Sequence, residues 1–156
     1  MKPQPTSEHC FICGRKNQVG LKLTFYSTAP GEVAVDYTVP EHYQGYPGVV
    51  HGGIVAAILD ETAGRSLLGN DRLHPRFMYT ARLTIRYRKP VPTGQPLHIV
   101  GRLVKDRKYA AVAASSIYGP QGDLLAEAEA LMMNIPEEML AGVDLTAMGW
   151  ATTSEG

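Results

Sequence analysis

The chain has 156 residues, of which 44% are hydrophobic and 19% are charged. This composition is typical of one globular domain that is long enough to bury a core. Fifteen basic and fifteen acidic side chains give a formal net charge of zero, which argues against nucleic-acid binding and against attraction to an anionic membrane. No apolar run approaches the roughly 20 residues that span a bilayer.

The first residues, MKPQPTSEHC, lack the apolar core of a signal peptide, so we expect a cytoplasmic location. Residues 1–17 are predicted to form an N-terminal leader that contains Cys10 and Cys13. A structural zinc site needs four ligands, and a redox CxxC is expected in a thioredoxin-like βαβ unit; the sequence offers neither. We predict a tight turn here and no metal. A metal site completed by a second subunit is the alternative.

Two segments with alternating apolar residues follow the leader and predict a β-hairpin. Leu21, Leu23 and Phe25 alternate with polar residues, and the same pattern resumes at Val33 after an Ala-Pro-Gly turn at 29–31. Residues 40–50 are rich in Gly and Tyr. They are predicted to be a loop that leads into a helix.

The predicted helix begins at a His-Gly-Gly turn, in the segment GVVHGGIVAAILDETAG (48–64), and ends near Gly69 and Asn70. Consecutive glycines allow backbone N–H groups to approach a ligand, and a helix N-terminus adds positive partial charge. Asp60 lies among Ile, Val, Ala and Leu, where an unpaired charge is unfavourable. A carboxylate near such N–H donors suits acyl transfer. The alternative is a buried acid held by a backbone or tyrosine donor.

One face of this helix carries mainly small residues, so another backbone or a slim ligand could approach it closely. At 100° per residue this face contains Gly53, Ala56, Ala57, Asp60, Gly64 and Leu67. About 10 Å along the axis separates Gly53 from Asp60. Glu61 lies on a different side and is predicted to form an i,i+4 ion pair with Arg65.

Three further strands are predicted after the helix, followed by a segment that fits either a helix or a strand. The first, 77–89, places Ala81, Leu83, Ile85 and Tyr87 on one face and Thr80, Arg82, Thr84, Arg86 and Arg88 on the other. Strands at 97–105 and 109–118 follow. Residues 124–135 contain strong helix formers but also alternate, so both helix and strand fit. A short helical turn is expected near 137–141, at the start of a tail that extends to 156. These elements predict an α+β domain.

The HGG turn at 51–53, Asp60 nine residues after its histidine, and the run TARLTIRYRKPVP at 80–92 resemble hotdog-fold acyl-CoA thioesterases of the phenylacetate-degradation (PaaI-like) type. The resemblance covers residues 9–135. It implies an antiparallel sheet wrapped around one central helix in a domain at 18–136, with 124–135 as the last strand. It also implies an acyl-CoA substrate, no cofactor, and a homodimer or a dimer of dimers with the active site between subunits.

The resemblance assigns roles to four residues in thioester hydrolysis. The Gly53 N–H is the expected oxyanion donor, and Asp60 acts as general base on water or as a nucleophile that forms an anhydride. Thr80 corresponds to a Ser or Thr that orients the water, although an ordinary strand threonine is the alternative. His51 either positions the thioester or only orients the turn.

The phosphates of coenzyme A require cationic partners, for which Arg86, Arg88, Lys89, Arg107 and Lys108 are the candidates. A solvated strand face is the alternative for these residues. The acyl pocket is expected to involve Tyr43, Tyr46, Phe77 and Met78. Two other functions are considered: a hotdog hydratase or dehydratase, which the motif spacing fits poorly, and a non-catalytic acyl-CoA-binding protein.

Overall fold

The computed structural model describes residues 1–69 and 75–150. A 14-residue helix, α1 (Gly52–Arg65), packs on a seven-stranded antiparallel sheet. The strands are β1 (Lys2–Pro3), β2 (Tyr26–Ala29), β3 (Glu32–Thr38), β4 (Met78–Tyr87), β5 (Pro96–Asp106), β6 (Ala110–Tyr118) and β7 (Leu124–Asn134). Their order in the sheet is β1-β2-β3-β5-β6-β7-β4. A 3-10 helix (Glu41–Tyr43) precedes α1, and α2 (Glu137–Leu140) follows β7. The predicted α+β class is confirmed.

The core lies between α1 and the concave face of the sheet. Val55, Ile58 and Leu59 are almost fully buried there. The helix approaches β5 so closely at Gly101 that a Cβ atom would lie 2.4 Å from the Thr62 carbonyl oxygen. Ser115 on β6 donates to the Leu59 carbonyl at 2.7 Å. These contacts fix the position of α1 on the sheet.

The predicted hairpin is present, but its first strand begins at Tyr26 and not at Leu21. Leu21, Leu23 and Phe25 are buried as their alternation predicted. The backbone N–H groups of Leu21 and Leu23 donate to Phe11 and Ile12 in the leader at 2.8 and 2.9 Å. The leader therefore packs on the domain, and this part of the chain pairs with it instead of with β3.

Residues 124–134 form a strand between β6 and β4, as the resemblance implied. Pairing on both sides overrides the helix propensity of this segment. Its inner face is built from Ala126, Ala128, Ala130 and Met132, all buried. Small side chains at three of these positions leave room for α1.

The C-terminal end of the helix differs from the prediction. The helix ends at Arg65, four residues earlier than the predicted Gly69, which has φ 78°. Asn70 and most of the loop predicted at 71–75 lie outside the described residues.

The tail forms α2 where a helical turn was predicted. The Met148 carbonyl, further along the tail, accepts a hydrogen bond from the Glu8 N–H at 2.8 Å. Within 1–69 and 75–150, no helix is long and apolar enough to cross a membrane.

Candidate active site

Asp60 lies on the half-buried side of α1 and faces a cavity of about 310 Å³. The Thr80 hydroxyl on β4 donates to Asp60 Oδ1 at 2.6 Å. The start of β4, the leader and the tail form the other walls of this cavity, which we call the Asp60 cavity; it is lined by Cys10, Cys13, Glu61, Arg65, Phe77, Met78, Met132, Met148 and Trp150 among others. The carboxylate is thus held by a neutral donor beside a space that a substrate group could enter.

Thr80 reaches Asp60 because β4 contains a bulge. Thr80 pairs with Met132 on β7, and Arg82 pairs with the preceding residue, Leu131, so Ala81 is an extra residue. Regular alternation had placed Thr80 on the face opposite Leu83. That face assignment is wrong, since the extra residue returns Thr80 to the helix side of the sheet.

The His-Gly-Gly turn caps the N-terminus of α1. His51 Nδ1 accepts a hydrogen bond from the Gly53 N–H at 2.9 Å. The His51 carbonyl accepts from Ile54 and Val55 at 2.9 and 3.0 Å. His51 therefore orients the turn, which was one of its two predicted roles. The Gly53 amide, the predicted oxyanion donor, is occupied by the histidine ring.

A second cavity, of about 600 Å³, borders the start of the helix, and we call it the His51 pocket. Gly52 lines it, and as the first residue of α1 its N–H has no acceptor within the helix. Tyr87 also lines this pocket and donates to the Gly52 carbonyl at 2.8 Å. The sequence prediction assigned no role to Gly52 or Tyr87. Tyr87 could have been found from its place on the Leu83 face of β4.

The five cationic candidates lie in three separate places. Arg88 and Lys89 line the His51 pocket, whereas the turn at Arg107 and Lys108 lies near the start of β4, since the Lys108 carbonyl accepts from Asn134, the partner of Met78. The nine residues of β6 place roughly 25 Å between these groups. Arg86 lines a separate surface depression on the outer face with Glu127 and Glu129. One chain therefore does not bring all five together.

Two of these cations form exposed ion pairs. Arg88 Nη2 lies 3.0 Å from Glu127 Oε1, and Lys89 Nζ lies 3.2 Å from Asp123 Oδ2. The hydrogen bond from Arg88 lowers the pKa of Glu127, and the same bond raises the pKa of Arg88. Exposed pairs of this kind are weak, so a phosphate could replace the carboxylates.

The four candidates for the acyl pocket also lie in different places. Phe77 and Met78 line the Asp60 cavity, and Tyr46 lines the His51 pocket. Tyr43 instead packs against the core and donates to the Gly20 carbonyl at 3.0 Å. It supports the loop before α1 and lines neither cavity.

The predicted Glu61–Arg65 ion pair is confirmed, with Arg65 Nε 2.9 Å from Glu61 Oε1. Glu61 also belongs to a possible metal-ligand group, in which its oxygen and the sulfurs of Cys10 and Cys13 lie within 4.8 Å of one another. Arg65 Nη2 donates to Cys13 Sγ at 2.8 Å. The guanidinium therefore already contacts two of the three donors.

A family model described as the thioesterase superfamily matches residues 47–126, just over half of the chain. The protein belongs to the thioesterase superfamily. The matched region contains the HGG turn, Asp60 and Thr80. The predicted family is confirmed by this match.

The superfamily relatives include acyl-coenzyme A thioesterase 13 from Homo sapiens, which is 28% identical over 107 residues. The alignment covers 68% of this chain and 75% of that protein. Acyl-coenzyme A thioesterase THEM4 from Rattus norvegicus is 38% identical over 68 residues, which cover 44% of this chain. The aligned part spans only 27% of the rat protein.

Solved structures of the superfamily have the same fold. A thioesterase superfamily protein with 28% identity superposes with a TM-score of 0.73, covering 81% of this chain and 61% of that one. The smu.793 protein from Streptococcus mutans, solved bound to acetyl CoA, gives 0.67 at 23% identity, covering 78% and 94%. The E. coli PaaI protein gives 0.66 at 18% identity, covering 74% and 81%. The predicted hotdog fold is confirmed.

Proposed function

We propose that this protein hydrolyses an acyl-CoA thioester to a carboxylic acid and coenzyme A. The observation that carries the proposal is the Asp60 carboxylate, held by Thr80 at 2.6 Å and facing a cavity. The activity named for human acyl-coenzyme A thioesterase 13 supports the substrate class, because the alignment spans 75% of that protein. A cytoplasmic location also stays a proposal, supported by the low cysteine count of two.

In the proposed mechanism Asp60 acts as a general base. Asp60 Oδ2 accepts a proton from water while the water oxygen attacks the thioester carbon. The carbon–sulfur bond then breaks, and the coenzyme A thiolate takes up the proton. Direct attack by Asp60, which forms an acyl anhydride that water then cleaves, uses the same residues.

The developing oxyanion needs an N–H donor at the start of α1. Gly53 can serve only if the His51 ring moves away from its amide, because Nδ1 accepts that hydrogen at 2.9 Å. Gly52 precedes it and lines the His51 pocket. We therefore propose the Gly52 N–H as the primary donor, with Gly53 as the alternative, and His51 as the residue that shapes the turn.

A second copy of the chain is proposed to complete the site. Gly52 and Asp60 of one helix are about 12 Å apart along its axis, so one carbonyl group cannot contact both. Gly53, Ala56 and Asp60 lie on the less buried side of α1, where another chain can approach. β4 is also a ten-residue edge strand of the sheet. These features support a homodimer or a dimer of dimers in which two copies share each site.

The coenzyme A phosphates are proposed to bind Arg88 and Lys89, which border the His51 pocket. Arg107 and Lys108 lie about 25 Å away, so they would contact a coenzyme A held mainly by another copy. Arg86, on the outer strand face, would contact the nucleotide end. Phe77, Met78 and Tyr46 are proposed to contact the acyl group.

The test is hydrolysis of short, medium, long and aromatic acyl-CoAs, with the released thiol of coenzyme A as the readout. Asp60→Asn is expected to lower kcat by about 10²- to 10⁴-fold on the preferred substrate, while acyl-CoA binding survives. Asp36→Asn, a carboxylate that is 85% exposed, is the matched control and should retain full activity.

Two results would contradict the proposal. Binding of acyl-CoA without turnover of any member of the panel would make this a non-catalytic binding protein. Addition of water to an enoyl-CoA, without thiol release, would instead support the hydratase alternative.

A further inference from the structure

The two cysteines of the leader lie side by side on the wall of the Asp60 cavity. Cys10 is half-buried, whereas Cys13 is only 1% exposed. The N–H groups of Ile12 and Cys13 both donate to Cys10 Sγ at 3.4 Å. The Cys10 and Cys13 sulfurs lie within 4.8 Å of one another. Two backbone donors thus converge on one sulfur that borders a cavity.

We propose that Cys10 and Cys13 form a thiol–disulfide site that reacts reversibly with a low-molecular-weight disulfide. Cys10 is the attacking sulfur, because it is the more exposed thiol and receives two backbone hydrogen bonds. Cys13 is the resolving sulfur, because it lies next to Cys10 and is shielded from solvent. A CxxC pair in which the first thiolate is stabilised has this division of roles.

The ionisation of the two thiols agrees with these roles. Hydrogen bonding from Cys13 lowers the pKa of Cys10 to about 6, with smaller help from the two backbone N–H groups and against the effects of burial and of the Glu61 carboxylate. The same Cys10–Cys13 interaction and burial raise the pKa of Cys13, against the opposite effect of the Arg65 guanidinium. Both shifts favour a thiolate at Cys10 and a thiol at Cys13.

The reaction proceeds through two exchanges. The Cys10 thiolate attacks one sulfur of the external disulfide RSSR, forming Cys10–S–S–R and releasing RS⁻. Cys13 loses its proton to solvent or to a released thiolate and attacks Cys10 Sγ, which breaks the Cys10–S–R bond and releases the second RS⁻. The two protein thiols are oxidised to a disulfide, and RSSR is reduced to one thiol and one thiolate.

A metal site is the competing use of the same residues, and the structure disfavours it. The Arg65 guanidinium contacts Cys13 Sγ at 2.8 Å and Glu61 Oε1 at 2.9 Å. Arg65 is itself 4% exposed and packs over the rings of Phe25 and Trp150. A cation bound to Cys10, Cys13 and Glu61 would have to displace this buried guanidinium from Cys13 and Glu61.

The test begins with the reduced full-length protein and oxidised glutathione at pH 7. The wild type is expected to lose both titratable thiols and two hydrogen atoms in mass, without a stable adduct. Cys13→Ser should accumulate a glutathione adduct on Cys10, and Cys10→Ser should stay reduced. A wild type that keeps both thiols, or a Cys10→Ser variant that reacts as fast as the wild type, would overturn the proposal.

A second measurement needs no variant. Iodoacetamide is expected to label Cys10 at pH 7 about tenfold faster than an unperturbed cysteine. The labelling rate, measured as a function of pH, should have its midpoint near pH 6. A midpoint near 8.5, or protection of both thiols by added Zn²⁺ alone, would contradict the thiol–disulfide assignment. These readouts do not involve thioester hydrolysis, so this inference and the proposed function can fail separately.

Discussion

The Thr80 hydroxyl on β4 donates a hydrogen bond to the Asp60 carboxylate at 2.6 Å. A hydrogen bond to a charged group is worth about 1.5–3 kcal/mol. In the proposed mechanism Thr80 is a positioning residue, because it holds Oδ1 and leaves Oδ2 to accept the proton from water. Its effect should therefore appear in turnover.

Thr80→Val is expected to lower kcat by about ten- to a hundredfold with little change in KM, because the carboxylate loses its orienting donor. Steady-state kinetics on the preferred acyl-CoA measure this. Thr80→Ser should restore most of the activity, and Thr84→Val, on the exposed part of the same strand, is the control. An equal loss in the serine variant would indicate that the threonine methyl group, through packing, matters more than its hydroxyl.

Gly52 allows the oxyanion donor to be tested by removing a single hydrogen. Proline is tolerated at the first position of a helix, and the preceding residue, His51, already has φ −55° and ψ 136°, which suit a following proline. Gly52→Pro should therefore fold normally and lower kcat by about 10²- to 10³-fold.

The matched control is Gly52→Ala, which keeps the N–H and whose Cβ would lie at an ordinary 3.7 Å from the Tyr87 hydroxyl. Thiol release under saturating substrate compares the two variants. Full activity in Gly52→Pro would exclude this amide and leave Gly53, with His51 displaced, as the donor.

At the scale of elements, the parts predicted from sequence are those with local signals. The alternation in 97–105 and 109–118 and the apolar helix after the HGG turn gave β5, β6 and α1 within a few residues, since burial of one face imposes those periods. The Ala81 bulge has no such signal, because it depends on pairing with β7. The leader's pairing with Leu21 and Leu23 is likewise a contact between two segments, which the alternation within one of them does not indicate.

The contact of α1 with β5 depends on the absence of a side chain at Gly101. A Cβ atom there would lie 2.4 Å from the Thr62 carbonyl oxygen, a backbone atom that cannot rotate away. Gly101→Ala is expected to destabilise the protein by about 1–3 kcal/mol, because the helix must shift from the sheet. Urea unfolding measures the change. Gly142→Ala, where no atom lies within 4 Å of the added Cβ, should leave stability nearly unchanged.

At the scale of the whole molecule, the candidate site was predicted as a set of residues but not as an arrangement. Asp60 and Thr80 are in contact, whereas Arg88 and Lys89 are at one end of the sheet and Arg107 and Lys108 at the other. Sequence spacing gave the 10 Å between Gly53 and Asp60, since that distance lies along one helix. Spacing could not show that the Gly53 N–H donates to the His51 ring, because the spacing of residues does not determine a side-chain rotamer.

A site shared by two copies predicts that two inactive variants can restore each other. Gly52→Pro removes the proposed donor and Asp60→Asn the proposed base. If each site takes one group from each chain, a mixed dimer contains one site with both defects and one with none. Co-expression in equal amounts should then yield about a quarter of wild-type activity, since half of the dimers are mixed and half of their sites are intact.

Differently tagged chains allow the mixed dimer to be purified, and its thiol release should be about half that of the wild type. A mixed dimer as inactive as its parents would mean that each chain supplies both groups to its own site, and the 12 Å between them would then require α1 to rearrange on binding substrate.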